Sequence, residues 1–408
     1  MSVVVTGLGV VGGFGAGEDA LRAVLASGAP VTASIEDAGL ALDGHSPRSQ
    51  RASVVPKDAL RPWLAPGKAR RMSPASRLAV AGSVQAIEAA GLASEDVAGP
   101  ETAVSLGTYF GSTSYTYKLL AQLRETGALS VSPLLFMETV ANAHAGQIAL
   151  MLGLEGPNYT ISQREASGAL AVARGVDLVR SGRAQRVIAG AADEASPIQH
   201  VVLDAYGALA RPGAEGVQAA RAFGREPTGV LLSEGAALWV LEDEAAARGR
   251  GANVRARVLA LVRANDATAT QTDWGDGAEH LGASLRARLE ALDTPLDSID
   301  RIVAGAAGAR RGDALELRTL QAAFGDTPLP PIAAPKAATG AYGGGELGAA
   351  LLALEGADWA PGLWFRAGSD GWAEPVQEAP RGPAERVLVS AVAAGGAACW
   401  IVLERADD

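Results

Sequence analysis

Few side chains in this sequence could make or break a covalent bond, and their spacing removes most of the familiar options. There is one cysteine, Cys399, so no internal disulfide or zinc–cysteine cluster can form. It follows Gly395-Gly396 in an apolar run, where a free cysteine serves as a small core residue. Four histidines, His45, His144, His200 and His280, are scattered, and none pairs at a metal-ligand spacing such as HxxxH. For His144 the default role is packing or a backbone hydrogen bond. The remaining chemical signal is Gly7-Leu8-Gly9-Val10-Val11-Gly12, formally GxGxxG, directly after the apolar run Val3–Thr6. Such a loop cradles a dinucleotide pyrophosphate only when a helix opens at once and an acidic residue ends a second strand about 20 residues on. Here the chain stays glycine-rich through Gly17, no such strand follows, and 50 glycines make the pattern easy to reach by chance.

The elements that must position any site are legible from periodicity. Ser73–Ala90 carries Leu78, Val80, Val84, Ile87 and Ala90 near a 3.6-residue period and reads as a helix. So do Ala166–Ser181, which stops at Gly182, and Asp313–Phe324. Unbroken apolar runs recur at Val187–Ala192, Ala236–Leu241, Val254–Val262, Ile302–Ala307 and Val387–Val392, as expected of strands buried on both faces. Their alternation with helices predicts a layered α/β fold. Asp266–His280 and Gly356–Glu385 read as long loops, the second holding Trp359, Trp364 and Trp372. A polar stretch, Glu242–Gly251, separates two strand series, dividing the chain into halves 1–252 and 253–408.

Composition narrows the function. With 35 basic against 45 acidic residues the net charge is −10, which argues against a nucleic-acid binder. The start has no basic residue before Arg22, unlike a secretory leader. The best membrane candidate, the uncharged stretch Val387–Leu403, is short for a span and broken by Gly395-Gly396, so a buried strand–GG–strand hairpin is expected and a cytoplasmic, membrane-free protein with it.

Seven ordered segments together resemble the β-ketoacyl synthases of the thiolase superfamily. They are VVVTGLGVVGGFG at the start, Arg70–Leu92, Gly146–Ser162, Ala169–Glu194, Leu231–Ala252, GDALELRTLQAAFGD and PKAATGAYGGGELGAALLALE. The resemblance spans nearly the whole chain and implies a thiolase-like fold: two similar halves, each a mixed five-stranded sheet, with helices between and outside. It also turns the glycine-rich start into a strand and turn, and the dinucleotide reading falls.

The departures from that family carry the functional reading. Where its STACASG motif sets a nucleophilic cysteine at a helix N-terminus, this chain has Ser162-Gln163-Arg164-Glu165-Ala166-Ser167-Gly168, placing Glu165 at the nucleophile position. Counting back from Gly312-Asp313 puts Gly305 at the first family histidine, and Ala307 and Ala309 at the two threonines that grip a phosphopantetheine arm. The second histidine, in KxxxGH, falls at Ala341, although Lys336 is kept. The NSFGFGG gate reads Ser390–Gly396 without either phenylalanine.

Loss of all three catalytic side chains while the fold-specifying glycines and helices remain resembles the chain-length factor, the ketosynthase-like β subunit of type II polyketide and aryl-polyene systems. That resemblance implies a heterodimer with a catalytic ketosynthase, no cofactor of its own, and substrate presented on the phosphopantetheine of an acyl carrier protein bound by the partner. It places the tunnel-lining positions, spaced i, i+3, i+7 on the helix after Gly107–Ser112, at Thr113, Thr116 and Leu120, with plain interface packing as their bland alternative. Small side chains at the first two imply a comparatively long pocket. Tyr109, Phe110, Tyr115 and Tyr117 nearby suit an interface. The alternative is a malonyl-thioester decarboxylase that makes primers, as proposed for relatives with Gln at the cysteine position. An ionised Glu165 opposes it, because it cannot donate to the enolate oxygen and repels the malonyl carboxylate. A third reading makes Glu165 a general base, which needs an oxyanion hole the sequence does not identify. The bland reading makes it a structural residue bonded inside a disused pocket, with Arg164 or the partner as ion-pair candidates.

Overall fold

The buried apolar runs pair into one continuous ladder. The computed structural model describes residues 1–213, 218–226, 228–368 and 372–406. Ten strands form its body: β1 Val3–Gly12, β2 Thr102–Gly107, β3 Asn158–Ile161, β4 Arg186–Asp193, β5 Gly235–Asp243, β6 Ala256–Asn265, β7 Arg301–Ala304, β8 Ile332–Ala333, β9 Arg386–Val392 and β10 Ala397–Arg405. The first five lie in the spatial order β3-β2-β4-β5-β1 and the second five in the order β8-β7-β9-β10-β6. In both sets the first two pairings are parallel and the next two antiparallel. The chain therefore lays down the same five-strand pattern twice. The two sets meet where Val4 and Val5 of β1 pair with Arg257 and Ala256 of β6.

Helices complete a five-layer stack: α1 Pro74–Ala89, α2 Thr113–Thr126, α3 Pro133–Thr139, α4 Ala143–Leu152, α5 Ser167–Arg180, α6 Ala278–Ala291, α7 Arg310–Phe324 and α8 Gly345–Glu355. The central layer is α5 and α8, packed between one face of each strand set with Val5, Trp239, Val387 and Ile401. Leu351 and Leu352 of α8 are fully buried there. The outer layers are α1 with α4 over the first set and α6 with α7 over the second.

The glycines of the GxGxxG run sit within β1 and serve packing. A Cβ at Gly7 would stand 2.0 Å from the Ala86 carbonyl oxygen, and one at Gly9 would stand 1.9 Å from that of Gly82. Both positions let α1 lie directly on the strand. The Ser73 hydroxyl accepts the Ser76 N–H and caps α1. The expected hairpin is present as β9 and β10, paired from Arg386↔Glu404 to Val392↔Ala398.

Two expectations need correction. The run Ile302–Ala307 leaves the ladder after Ala304, because from Gly305 the backbone N–H groups turn to acidic side chains of α7. Gly356–Glu385 is not loop throughout: Trp364–Ala367 and Ala373–Pro375 extend the sheet beyond β8. Burial of Trp359 and Trp364, with ring centroids 5.1 Å apart, anchors that segment.

Candidate functional site

Parallel strands deliver their C-terminal ends to one place, where open α/β sheets assemble ligand sites. After β3 the chain makes a tight turn in which Arg164 adopts φ 48°, a left-handed conformation uncommon for a residue with a side chain. Glu165 follows in a single 3-10 turn, Arg164–Ala166, that runs into α5. The turn leaves Glu165, half-buried, directly before the N-terminus of α5. Its Oε2 accepts the Ala394 N–H, 3.1 Å away at the end of the β9 segment. Burial pushes the Glu165 carboxyl up, while the N–H groups of Glu165 and Ala394 and the charges of Lys336 and Arg164 pull it down. Arg164 itself turns aside: its Nη2 donates to the Gln271 carbonyl at 3.0 Å and its guanidinium lies 5.9 Å from the Phe110 ring centre.

Gly305, directly after β7, donates its N–H to Glu316 Oε1 of α7 at 3.1 Å. Burial pushes Glu316 up to about 8. Its neighbour Asp313 accepts the N–H groups of Phe223, Ala307 and Gly308, yet burial still raises it to about 6. Ala341 donates its N–H to the Leu231 carbonyl at 3.0 Å and offers no side-chain donor. Lys336 is 1% exposed, and its Nζ lies 2.8 Å from Glu346 Oε2 of α8, which is fully buried. The Lys336 charge is also felt at Glu165, Asp193 and Glu316. Asp193, at the end of β4, ties the floor together by accepting Thr108 Oγ1 at 2.9 Å, Tyr109 N–H at 2.7 Å and Gly343 N–H at 2.8 Å.

Among the described residues no Cys–His pair faces this interior. Cys399 is fully buried on β10, and burial pushes its thiol up to about 12, far from a reactive thiolate. His144 is fully buried in α4, its Nδ1 3.1 Å from Ser76 Oγ, and burial drives its pKa down to about 4. Among the described residues no group of three His, Cys, Asp or Glu side chains is placed to hold a metal ion.

The proposed tunnel positions lie on α2, none of whose residues is buried. Thr113 turns its hydroxyl inward, donating to Glu194 Oε1 at 3.2 Å and lying 2.7 Å from Ser196 Oγ. Thr116 and Leu120 are exposed, Leu120 by 56%.

Beside α2, α3 is built inside out, a feature the sequence reading missed. Its one buried residue is Glu138, which accepts Ser73 N–H and Ser76 Oγ at 2.8 Å and Gln147 Nε2 at 2.7 Å. Leu134, Phe136 and Met137 meanwhile point to solvent at about 60% exposure. A charged residue among apolar ones at helical spacing was the available signal. Glu346 was likewise missed, although it stands ten residues from Lys336 in one of the quoted segments.

Comparison with known proteins agrees with this geometry. The β-ketoacyl synthase N-terminal domain matches residues 1–247 and the β-ketoacyl synthase C-terminal domain matches residues 255–365. The tetracenomycin polyketide synthase ketoacyl synthase alpha subunit of Streptomyces glaucescens is 32% identical over 86% of this chain and 84% of its own. The 3-oxoacyl-acyl-carrier-protein synthase 2 of Vibrio cholerae is 27% identical over 79% and 77%. Among solved structures, the ishigamide ketosynthase/chain length factor superposes with a TM-score of 0.85 at 25% identity, covering 100% of this chain and 99% of the other. With both domain matches in order and a thiolase-like fold around them, the chain belongs to the β-ketoacyl synthase family.

Proposed function

We propose that this chain is the non-condensing, chain-length-factor-like subunit of a type II polyketide or aryl-polyene ketosynthase, pairing with a catalytic ketosynthase and helping to shape the tunnel for its growing chain. The observation that carries this reading is Glu165 in the nucleophile position with its carboxylate bonded to Ala394 N–H. Condensation needs a thiolate and donors aimed at the thioester oxygen. Here the reactive group is an acceptor, and Gly305 and Ala341 bring no side-chain donor. The same carboxylate opposes the decarboxylase alternative, since it takes up an N–H that would otherwise face an enolate.

The surface supports a partner. α2 and α3 present Tyr117, Leu120, Leu123, Leu134, Phe136 and Met137 to solvent, an apolar face of the kind that marks subunit interfaces. β3 is the last strand of the ladder and, among the described residues, pairs with β2 alone, leaving an open edge. The phosphopantetheine-bound substrate would enter through the partner, together with its acyl carrier protein. Co-expression with the catalytic ketosynthase of the same system tests this reading. A 1:1 complex by native mass measurement that elongates malonyl units, with no turnover by the isolated chain, is expected. A stable monomer in the presence of the ketosynthase would overturn it.

A further inference from the structure

Asp193, the last residue of β4, and Glu194 after it each grip one end of the turn that leads from β2 into α2. Asp193 takes the entry, accepting Thr108 Oγ1 at 2.9 Å and Tyr109 N–H at 2.7 Å. Glu194, 1% exposed, takes the exit. Its Oε1 accepts Ser114 N–H at 2.6 Å and the Thr113 hydroxyl at 3.2 Å, and its Oε2 accepts Ala75 N–H of α1 at 3.3 Å. Proton counting orders the remaining contact. A hydroxyl carries one proton, and Thr113 gives its own to Glu194, so at the 2.7 Å approach of Ser196 the serine donates and Thr113 accepts. Ser196 Oγ in turn accepts Gln199 N–H at 3.3 Å and caps the helix Pro197–Ala205. One line of bonds therefore runs from that helix through Ser196 and Thr113 to Glu194 and on to α1. Ser196 is fully buried, so breaking the line leaves its hydroxyl unmet where bulk water does not replace the bond.

We propose that Glu194 is the positioning residue for α2, and that Thr113 serves through its hydroxyl, as the link to Glu194, rather than through its small volume. On the chain-length-factor reading, on which this role rests, Thr113, Thr116 and Leu120 line the tunnel, and Glu194 sets where that wall stands. An α-helix rises about 1.5 Å per residue, so an α2 that slips by one residue carries Leu120 about one carbon–carbon bond along a growing chain. A looser seat admits neighbouring chain lengths. The tie between Glu194 and Thr113 narrows the product range.

The test reads product lengths by mass spectrometry from the complex with the catalytic ketosynthase, for wild type, Thr113→Val, Thr113→Ser and Glu194→Gln. Valine keeps the shape of threonine and loses the hydroxyl, whereas serine keeps the hydroxyl and gives up volume. T113V and E194Q are expected to lower the ratio of the main product to its neighbours by about threefold or more, the weight of one lost hydrogen bond, while T113S matches wild type. A T113V that matches wild type, a T113S that departs from it, or an E194Q with an unchanged product range overturns the proposal. Should E194Q fail to fold, the valine–serine contrast decides alone. A wild type that gives no complex or no product fails the chain-length-factor reading instead, and amide exchange in the full-length chain then decides. The Ser114 N–H is expected to exchange about tenfold faster in T113V than in wild type and T113S. Equal rates in the three overturn the role of Glu194.

Discussion

Glu316, Asp313 and Glu234 are folded into surroundings that favour their protonated forms, burial raising them to about 8, 6 and 7 from ordinary carboxyl values. A carboxyl raised in the folded state binds more protons there than in the unfolded chain, so its contribution is full below about pH 4.5 and is lost as pH rises through the folded value. Stability is therefore expected to fall between about pH 4.5 and 8. Replacing Glu316 by Gln should flatten that fall and gain roughly 1–3 kcal/mol at pH 8.5, with little change at pH 5, in urea melts across the range. A wild-type stability that rises through the window would contradict the assignment. The Lys336–Glu346 pair makes a second expectation. Lys336→Met leaves a fully buried carboxylate without its cation and should cost about 3–5 kcal/mol, whereas adding Glu346→Leu should return most of it. At the nucleophile position, Glu165→Cys should not restore condensation, because Gly305 and Ala341 still supply no side-chain donors. Measurable malonyl elongation by that variant alone would refute this.

Secondary-structure elements divide into those that hold the core and those that hold nothing of it. Glu138 is the one buried side chain of α3, so Glu138→Ala should strand three donors and cost roughly 2–4 kcal/mol, read from the urea midpoint. Phe136→Lys, on the opposite face, should stay within about 0.5 kcal/mol of wild type while abolishing the complex with the ketosynthase. A complex that survives this change would move the interface elsewhere. The same division explains what the sequence could reveal. Helices α1 and α5 and the strands β4, β5 and β9 were legible because burial on a regular element imposes its period on composition. The site positions Glu165, Gly305 and Ala341 were legible through motif spacing. What Glu165 touches was not, since Ala394 reaches it only after two strand sets close on each other. Glu346 as partner of Lys336 depends equally on how α8 enters after the Gly343–Gly345 turn. Trp364–Ala367 escaped because a four-residue strand has too few positions to show alternation.

At the scale of the whole molecule, the repeated five-strand order places the first strand of each set against the first strand of the other. β1 pairs with β5 from Val3↔Asp243 onward and with β6 at Val4 and Val5, so the N-terminal segment sits at the seam. This has a consequence for biosynthesis. Val3–Gly12 is buried throughout in the finished protein, but its main ladder partners β5 and β6 are made more than 220 residues later. At roughly 5–20 residues per second, that strand waits on the order of ten seconds or more with its apolar faces exposed. Chains arrested short of residue 265 are accordingly expected to stay protease-sensitive throughout the amino-terminal half.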